Sequence, residues 1–148
     1  MTLDKKDLQI LDELCENAKL TTGQIAKRLR IPVTTVHNRI KKLEKLGVIT
    51  GYTVKLDHTK LGKPMMAYIL ISVMYTLPNG KKIEQDELAR KIKKFPEAEE
   101  VIITAGVTDI MVKVRVGTVE ELNEFIIKKL RSVDGVDKTQ TMIALSQA

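Results

Sequence analysis

Apolar residues recur at helical spacing in the stretch after Pro32, and this pattern constrains the fold more than any other feature of the chain. The apolar positions are Val33, Val36, Ile40 and Leu43. Residues at such spacings share one face of a helix, so an amphipathic helix is expected here. Pro32 suits the first helical position because its missing N–H would be unpaired there, and Gly47 suits the left-handed stop.

Two further helices are expected before this one. Asp4 is a favourable N-cap for a helix that ends near Asn17, and its buried face is expected to contain Leu8, Leu11 and Cys15, flanked by Ile10 and Leu14. Thr21 and Gln24 have the spacing of a capping box at the start of the next helix. The β-rich residues 48–54 favour a short wing or connecting strand. Residues 1–56 are therefore predicted to form a winged helix-turn-helix.

The rest of the chain has a different pattern. Residues 57–64 contain Gly62 and Pro64 without clear periodicity, which indicates a hinge. Residues 65–148 follow the order strand, helix, strand, strand, helix, strand, which predicts a ferredoxin-like βαββαβ domain and an α+β protein overall. The first strand, residues 66–74, is apolar on both faces. Because soluble monomers rarely expose such a surface, a homodimer is expected.

Positive charge is concentrated in the predicted helix-turn-helix. The whole chain carries a net charge of +6, and residues 18–45 contain eight Lys or Arg against the single acidic residue Glu44. Such a local field favours a polyanion, here double-stranded DNA. The third predicted helix has small polar residues at its start, suited to base edges, and lysines farther along, suited to phosphates. The candidate DNA-binding residues are Lys27, Arg28, Thr34, Thr35, His37, Asn38, Lys41, Lys42 and Lys45.

Two alternatives apply to this charged surface. A lysine-rich helix face can simply be solvated, without binding anything. Arg39 lies beside the apolar face, so it can serve as a structural ion-pair partner instead of a DNA contact.

Other features concern the compartment. Cys15 is the only cysteine, so no intramolecular disulfide is possible, and its place in an apolar pattern predicts a packed thiol. No leader pattern is visible, and the apolar run at residues 67–73 is far shorter than the roughly 20 residues of a membrane span. A soluble protein of the reducing cytoplasm, without membrane association, is expected.

Several stretches resemble one known family. They are residues 21–29 (TTGQIAKRL), 36–49 (VHNRIKKLEKLGVI), Gly51-Tyr52, and residues 104–109 (TAGVTD). In this order they resemble the leucine-responsive regulator/AsnC (Lrp/AsnC) group of bacterial and archaeal transcription factors. Arg30 and Pro32 depart from the common pattern, which has Gly in the turn and Ser or Thr at the cap. The connection over residues 75–87 is longer than expected for the family, although Pro78-Asn79-Gly80 is typical of a turn.

The resemblance implies an effector-binding domain that forms dimers, often octamers, and binds a small molecule, usually an amino acid, between dimers. It implies no cofactor. The effector-binding candidates are Ala105, Gly106, Thr108, Asp109, Thr139, Thr141 and Met142. Backbone around Gly106 and threonine hydroxyls suit a carboxylate, and Asp109 suits an ammonium group. The alternative is that Gly106 and Asp109 shape a tight turn and the threonines are ordinary strand residues.

Two other functions compete with that of a ligand-responsive regulator. Some chains of similar architecture are sirohaem decarboxylases, but residues 65–148 contain no histidine, and no catalytic motif is legible. An enzyme is therefore not expected. A chromatin-like protein that coats DNA without a ligand shares the basic helix and the dimer, and would bind most sequences equally. The sequence favours a sequence-specific transcriptional regulator modulated by a small molecule.

Overall fold

A computed structural model describes residues 2–146 of the chain. The chain divides into two compact units, one ending at Leu56 and the other beginning at Asp57. They are called here, after the functions that the sequence leads us to expect, the DNA-binding unit and the effector unit, and each is described by itself.

Three helices make up the DNA-binding unit: α1 (Lys5–Glu16), α2 (Thr22–Leu29) and α3 (Val33–Lys45). Reciprocal capping boxes begin the first two, Asp4 with Asp7 and Thr21 with Gln24, which satisfies the free N–H groups of each helix start. The helices pack around a small apolar core of Ile10, Leu14, Ile25, Ala26 and Val36.

The buried face of α1 differs from the predicted one. Asp7, Ile10 and Leu14 face the interior, whereas Leu8 is half exposed and Cys15 is exposed, so the predicted packed thiol is wrong. The buried face is thus rotated by one residue position from the predicted one, and the carboxylate of Asp7 on this face is paired with Arg39. A pattern of apolar residues alone contains no signal for a buried aspartate.

Two local expectations near α3 also need correction. Pro32 is extended and stands at the N-cap rather than at the first helical position. Residues 48–54 form no strand within the described part of the chain. Arg30 ends α2 in the left-handed conformation, with φ of 55°. Glycine adopts this conformation without strain, which accounts for the Gly expected at this turn from the resemblance.

The effector unit has the order β1 (Met65–Val73), α4 (Gln85–Lys93), β2 (Ala98–Ile103), β3 (Ile110–Val116), α5 (Val119–Glu124) and β4 (Val136–Ile143). A π-helical turn at Phe125–Lys129 and a 3-10 turn at Leu130–Ser132 extend α5. The strands lie in the order β2-β3-β1-β4, with every neighbouring pair antiparallel. This is the predicted ferredoxin-like fold, and the α+β class is confirmed.

The two faces of the sheet have different surroundings. On one face, alternate residues of β1 and β3 such as Ile69 and Val112 are fully buried with Leu88, Ile92 and Phe125 of the helical layer. The opposite face contains Tyr68, Leu70, Met111 and Met142, which are only partly buried or exposed. In the described part of the chain, neither helix of the effector unit packs on this second face, which is called here the open face.

The long connection between β1 and α4 forms a short hairpin. Thr76 and Lys82 make an isolated antiparallel bridge, and the N–H of Ile83 donates to the carbonyl of Tyr75 at 2.9 Å. Residues 78–80 form the tip, where Gly80 has φ of 84°. Leu77 packs against the core, so the hairpin is anchored to the effector unit by its own side chain.

Candidate DNA-binding and effector sites

The outer face of α3 contains the polar residues predicted to bind DNA. Thr34, His37 and Asn38 lie in its first turns and Lys41 and Lys45 in its second half, all exposed, while Thr35 is half-buried. This is the arrangement that a recognition helix requires, with short side chains near the base edges and cations near the phosphates.

An ion-pair cluster fixes the inner side of α3. The Nη1 atom of Arg39 lies 2.6 Å from Oδ2 of Asp4 and 2.7 Å from Oδ1 of Asp7. Asp7 is fully buried, the only charged residue so placed in residues 2–146. A buried charge is tolerated only when it is paired and hydrogen-bonded. Arg39 therefore fastens α3 to the start of α1, which is the structural role that the sequence left open for it.

The pKa values of the cluster reflect these contacts. Burial alone would raise the pKa of Asp7, but hydrogen bonds from Arg39 and from the backbone of Asp4 outweigh it, so the pKa is lowered. The hydrogen bond from Arg39, followed by that from the Asp7 N–H, lowers the pKa of Asp4. The same two carboxylates raise the pKa of Arg39. The cluster is therefore ionised in neutral solution.

Two of the predicted DNA-binding cations are partly engaged within the protein. The Nζ atom of Lys42 lies 3.6 Å from Oδ2 of Asp7, and Nη1 of Arg28 lies 2.8 Å from Oε2 of Glu13. Both side chains remain about half exposed. Each would have to share its charge with an acidic neighbour when contacting a phosphate, whereas no salt bridge involves Lys41 or Lys45 within the described chain.

The loop at residues 104–109 joins β2 to β3. It is closed by the N–H of Thr104, which donates to the carbonyl of Asp109 at 2.9 Å. Gly106 has φ of 136°, a conformation that other residues rarely adopt. Within the described residues, the N–H groups of residues 105–108 make no hydrogen bond to the protein. They are thus free to bind an acceptor from outside.

The side chain of Asp109 is bonded within the protein. Its Oδ2 accepts the N–H of Val73 at 2.7 Å, and its Oδ1 accepts the hydroxyl of Tyr75 at 2.9 Å. The backbone carbonyl of Asp109 also accepts the side-chain amide of Gln85 at 2.7 Å. The sequence leaves two roles open for Asp109, pairing with an ammonium group or shaping the turn. In the structure both of its carboxylate oxygens hold the loop to the end of β1 and to the residue that follows Met74.

The candidates on β4 lie on two faces of the sheet. Thr139 and Thr141 are paired with Ile71 and Ile69, on the helical side, whereas Met142 is paired with Tyr68 on the open face. The Oγ1 atom of Thr139 accepts hydrogen bonds from Arg131 at 3.1 and 3.2 Å. A single protomer therefore does not bring the seven effector-binding candidates to one concave site.

Sequence reasoning missed four residues that shape these sites. Tyr75, Gln85 and Arg131 contact the effector candidates, and Asp7 holds Arg39. Asp7 had a local signal only as the partner of Asp4 in a capping box, and its burial had none. Tyr75 belongs to the connection after β1, Gln85 begins α4, and Arg131 lies in the 3-10 turn that extends α5. No local pattern indicates which neighbour a polar side chain will meet at these places.

The architecture defines a helix-turn-helix protein with a small α+β regulatory unit. Residues 3–50 match the winged helix-turn-helix DNA-binding family, and residues 69–148 match the Lrp/AsnC ligand binding domain. An HTH-type transcriptional regulator of Pyrococcus furiosus is 41% identical over 142 residues, covering 96% of this chain and 92% of the relative. The chain belongs to the Lrp/AsnC family.

Further relatives agree with this assignment. The HTH-type transcriptional regulator FL11 of Pyrococcus furiosus is 37% identical over 143 residues, covering 97% of this chain and 89% of FL11. AsnC of E. coli superposes with a TM-score of 0.85 at 25% identity, covering 99% and 95% of the two chains. A regulator of Neisseria meningitidis, solved as an L-Met complex, has a TM-score of 0.89 at 26% identity, covering 99% and 92%.

The protein is therefore a DNA-binding transcriptional regulator with a ligand-binding domain. The families and relatives that it matches are regulators rather than enzymes. Among residues 2–146, no helix combines the length and the apolar character required to cross a membrane.

Proposed function

We propose that the protein binds a specific DNA sequence as a homodimer, in the cytoplasm, and that an amino acid modulates its DNA binding or its assembly. The observation that carries this proposal is the exposed polar face of α3, whose opposite side is fastened by the Asp7–Arg39 ion pair. A helix held in this way presents the same side chains to every binding site.

The DNA contacts divide by chemistry. Asn38 has the amide that pairs bidentately with adenine, and His37 and Thr34 donate to base acceptors in the major groove. Lys41 and Lys45 neutralise phosphates, with Lys27, Arg28, Lys42 and Thr35 as further proposed contacts. Two copies of α3 would enter successive major grooves about one helical turn apart.

Support for the homodimer comes from the open face of the sheet. Beside the charged residues Lys113 and Arg115, this face carries an apolar patch of Tyr68, Leu70, Met111 and Met142. A second copy of the same face would remove these side chains from water. Assembly of such dimers into an octamer is part of the proposal, because it would place effector loops of different dimers side by side.

Support for an amino-acid effector comes from the loop at residues 104–109. Its free N–H groups, including that of Gly106, suit a carboxylate. The Neisseria meningitidis regulator of the same fold was solved with L-Met. Because Thr139, Thr141 and Met142 do not converge with this loop in one protomer, we propose that the complete site, with Ala105, Thr108 and Asp109, forms between protomers.

The DNA-binding half is tested by two variants at one fixed salt concentration. Asn38→Ala should lower the ratio of specific to non-specific affinity about tenfold, since one bidentate base contact contributes about 1–3 kcal/mol. Lys41→Ala should weaken binding to all sequences and reduce the salt slope by about 1. A wild-type ratio near one would instead support a protein that coats DNA.

The effector half is tested by thermal shift with each of the twenty amino acids. A ligand that binds only the native state raises the midpoint, and the rise grows with the logarithm of ligand concentration above the Kd. Sedimentation velocity with and without the stabilising amino acid then measures its effect on assembly. If no amino acid shifts the midpoint, this half of the proposal is wrong, while the DNA-binding half stands on its own test.

A further inference from the structure

The hairpin at residues 76–83 is bracketed by two residues that both hold Asp109. Tyr75, before the hairpin, donates its hydroxyl to Oδ1 of Asp109 at 2.9 Å, and Gln85, after it, donates its amide to the Asp109 carbonyl at 2.7 Å. The proposed effector loop and the hairpin are thus joined through one residue.

The two oxygens of Asp109 have partners of different kinds. Oδ2 is bonded to the backbone N–H of Val73 in the sheet, a donor fixed by the fold. Oδ1 is bonded to a tyrosine side chain that is 49% exposed. A phenol is a neutral donor and an ammonium group is a charged one, so an ammonium group forms the stronger hydrogen bond with a carboxylate.

We propose that Tyr75 is a latch that competes with the effector for Asp109. Its hydroxyl occupies Oδ1 in the free protein, and the ammonium group of a bound amino acid takes its place and releases the hairpin on the Tyr75 side. This inference rests on the proposed function, because it concerns the same effector loop. It makes Tyr75 a determinant of effector affinity and of selectivity for ligands with a free ammonium group.

Release would loosen the hairpin rather than detach it. The carbonyl of Tyr75 accepts the N–H of Ile83, and the Leu77 N–H donates to Lys81, so the latch lies at the base of a small hydrogen-bonded ladder. Gln85 keeps its bond to the Asp109 carbonyl, which does not compete with an ammonium group at Oδ1. The hairpin is therefore the element that changes when the effector binds.

The test uses the full-length protein with Tyr75→Phe, which removes the hydroxyl and keeps the ring. Tyr52→Phe is the matched control, since Tyr52 makes the same type of bond, to Glu44 at 2.8 Å, in the DNA-binding unit. The probes are the twenty L-amino acids and their N-acetyl forms, which keep the carboxylate and lose the ammonium charge. Affinity is measured by calorimetry and hairpin opening by hydrogen exchange of residues 76–83.

Tyr75→Phe should bind the effective amino acid about tenfold more tightly than wild type, the size expected when a competing bond to a charged group is removed. Tyr52→Phe should match wild type, and the N-acetyl form should gain nothing from Tyr75→Phe. Hydrogen exchange in the hairpin should rise on adding the amino acid to wild type, and should already be raised in Tyr75→Phe.

Equal affinities of wild type and Tyr75→Phe would overturn the latch while leaving an amino-acid effector in place. Protection of the hairpin by the ligand would also overturn it. Binding by Tyr75→Phe alone would support the latch, in a protein whose site is masked by its own tyrosine. If neither protein binds any amino acid of the panel, the latch and the proposed effector both fail.

Discussion

The two units differ in which of their charged groups are buried or bonded within the protein. The DNA-binding unit buries Asp7 with Arg39, and this leaves the cations on the outer face of α3 exposed. The effector unit buries only apolar side chains in its core, and the candidate site carboxylate of Asp109 is bonded to its own chain. The outer face of α3 is thus free to bind, because the charges that support the helix are paired on its inner side. The carboxylate of Asp109 is not free, because it also supports the fold.

The strongest perturbation of the effector unit is expected from Gly135→Ala. Gly135 has φ of 100°, and a Cβ there would lie 2.6 Å from Cγ2 of Ile83. Backbone strain and overpacking together should cost about 4 kcal/mol of unfolding free energy. Hydrogen exchange measured for peptides of both units should increase in the effector unit, with the DNA-binding unit unchanged.

Gly80→Ala is the control for this variant. Gly80 also has positive φ, at 84°, but nothing lies within 4 Å of the added Cβ. Only the backbone strain remains, so a loss of about 1 kcal/mol is expected. Equal losses for the two variants would show that the approach of Ile83 to Gly135 contributes nothing.

Asp7→Ala should have the next largest effect, in the other unit. Removing one partner of a buried ion pair leaves an uncompensated charge, and Asp4 offsets part of this because it remains bonded to Arg39. We expect a loss of about 3 kcal/mol in the DNA-binding unit alone. Specific DNA affinity should fall as well, since α3 loses the buried part of its attachment to α1. Chemical denaturation, monitored by hydrogen exchange of peptides from α1 and α3, measures the loss of stability.

Glu13→Ala is the matched control in the same unit. It breaks the pair with Arg28, whose side chain is 48% exposed, so the expected cost is below about 1 kcal/mol. If Glu13→Ala destabilised the unit as much as Asp7→Ala, burial of the charge would not be what distinguishes the DNA-binding unit.

Much of the fold was predictable because it depends on local patterns. The spacings of Asp4 to Asp7 and of Thr21 to Gln24 indicate where α1 and α2 begin. The alternation of residues in β3 indicates the register of this strand. The strand order followed from the sequence of elements. The rotated face of α1 was not predictable from apolar spacing, because a distant residue, Arg39, makes burial of Asp7 favourable.

The candidate sites differ in the same respect. The outer face of α3 depends on one helix, so its periodicity placed Asn38 and Lys41 on one exposed surface. The effector site depends on which residues meet across the sheet. The sequence contains no signal that Tyr75 reaches Asp109 or that Thr139 and Met142 lie on opposite faces. Local patterns predict which face of a helix or strand is exposed, whereas contacts between elements can be identified only from the three-dimensional structure.

Acid should act on the DNA-binding unit through the same two carboxylates that hold Arg39. The pKa values of Asp4 and Asp7 are lowered in the folded state from an ordinary value of 3.8. A carboxyl group with a lowered pKa contributes stability above its unfolded pKa, and that contribution is lost as the pH falls through the folded value. The DNA-binding unit should therefore lose stability below about pH 4. Urea denaturation between pH 6 and pH 2, monitored by the NMR signals of each unit, measures this loss of stability. In Asp7→Asn the pH dependence should be weaker because one of the two groups no longer titrates, and an unchanged dependence would show that other carboxylates control the acid response.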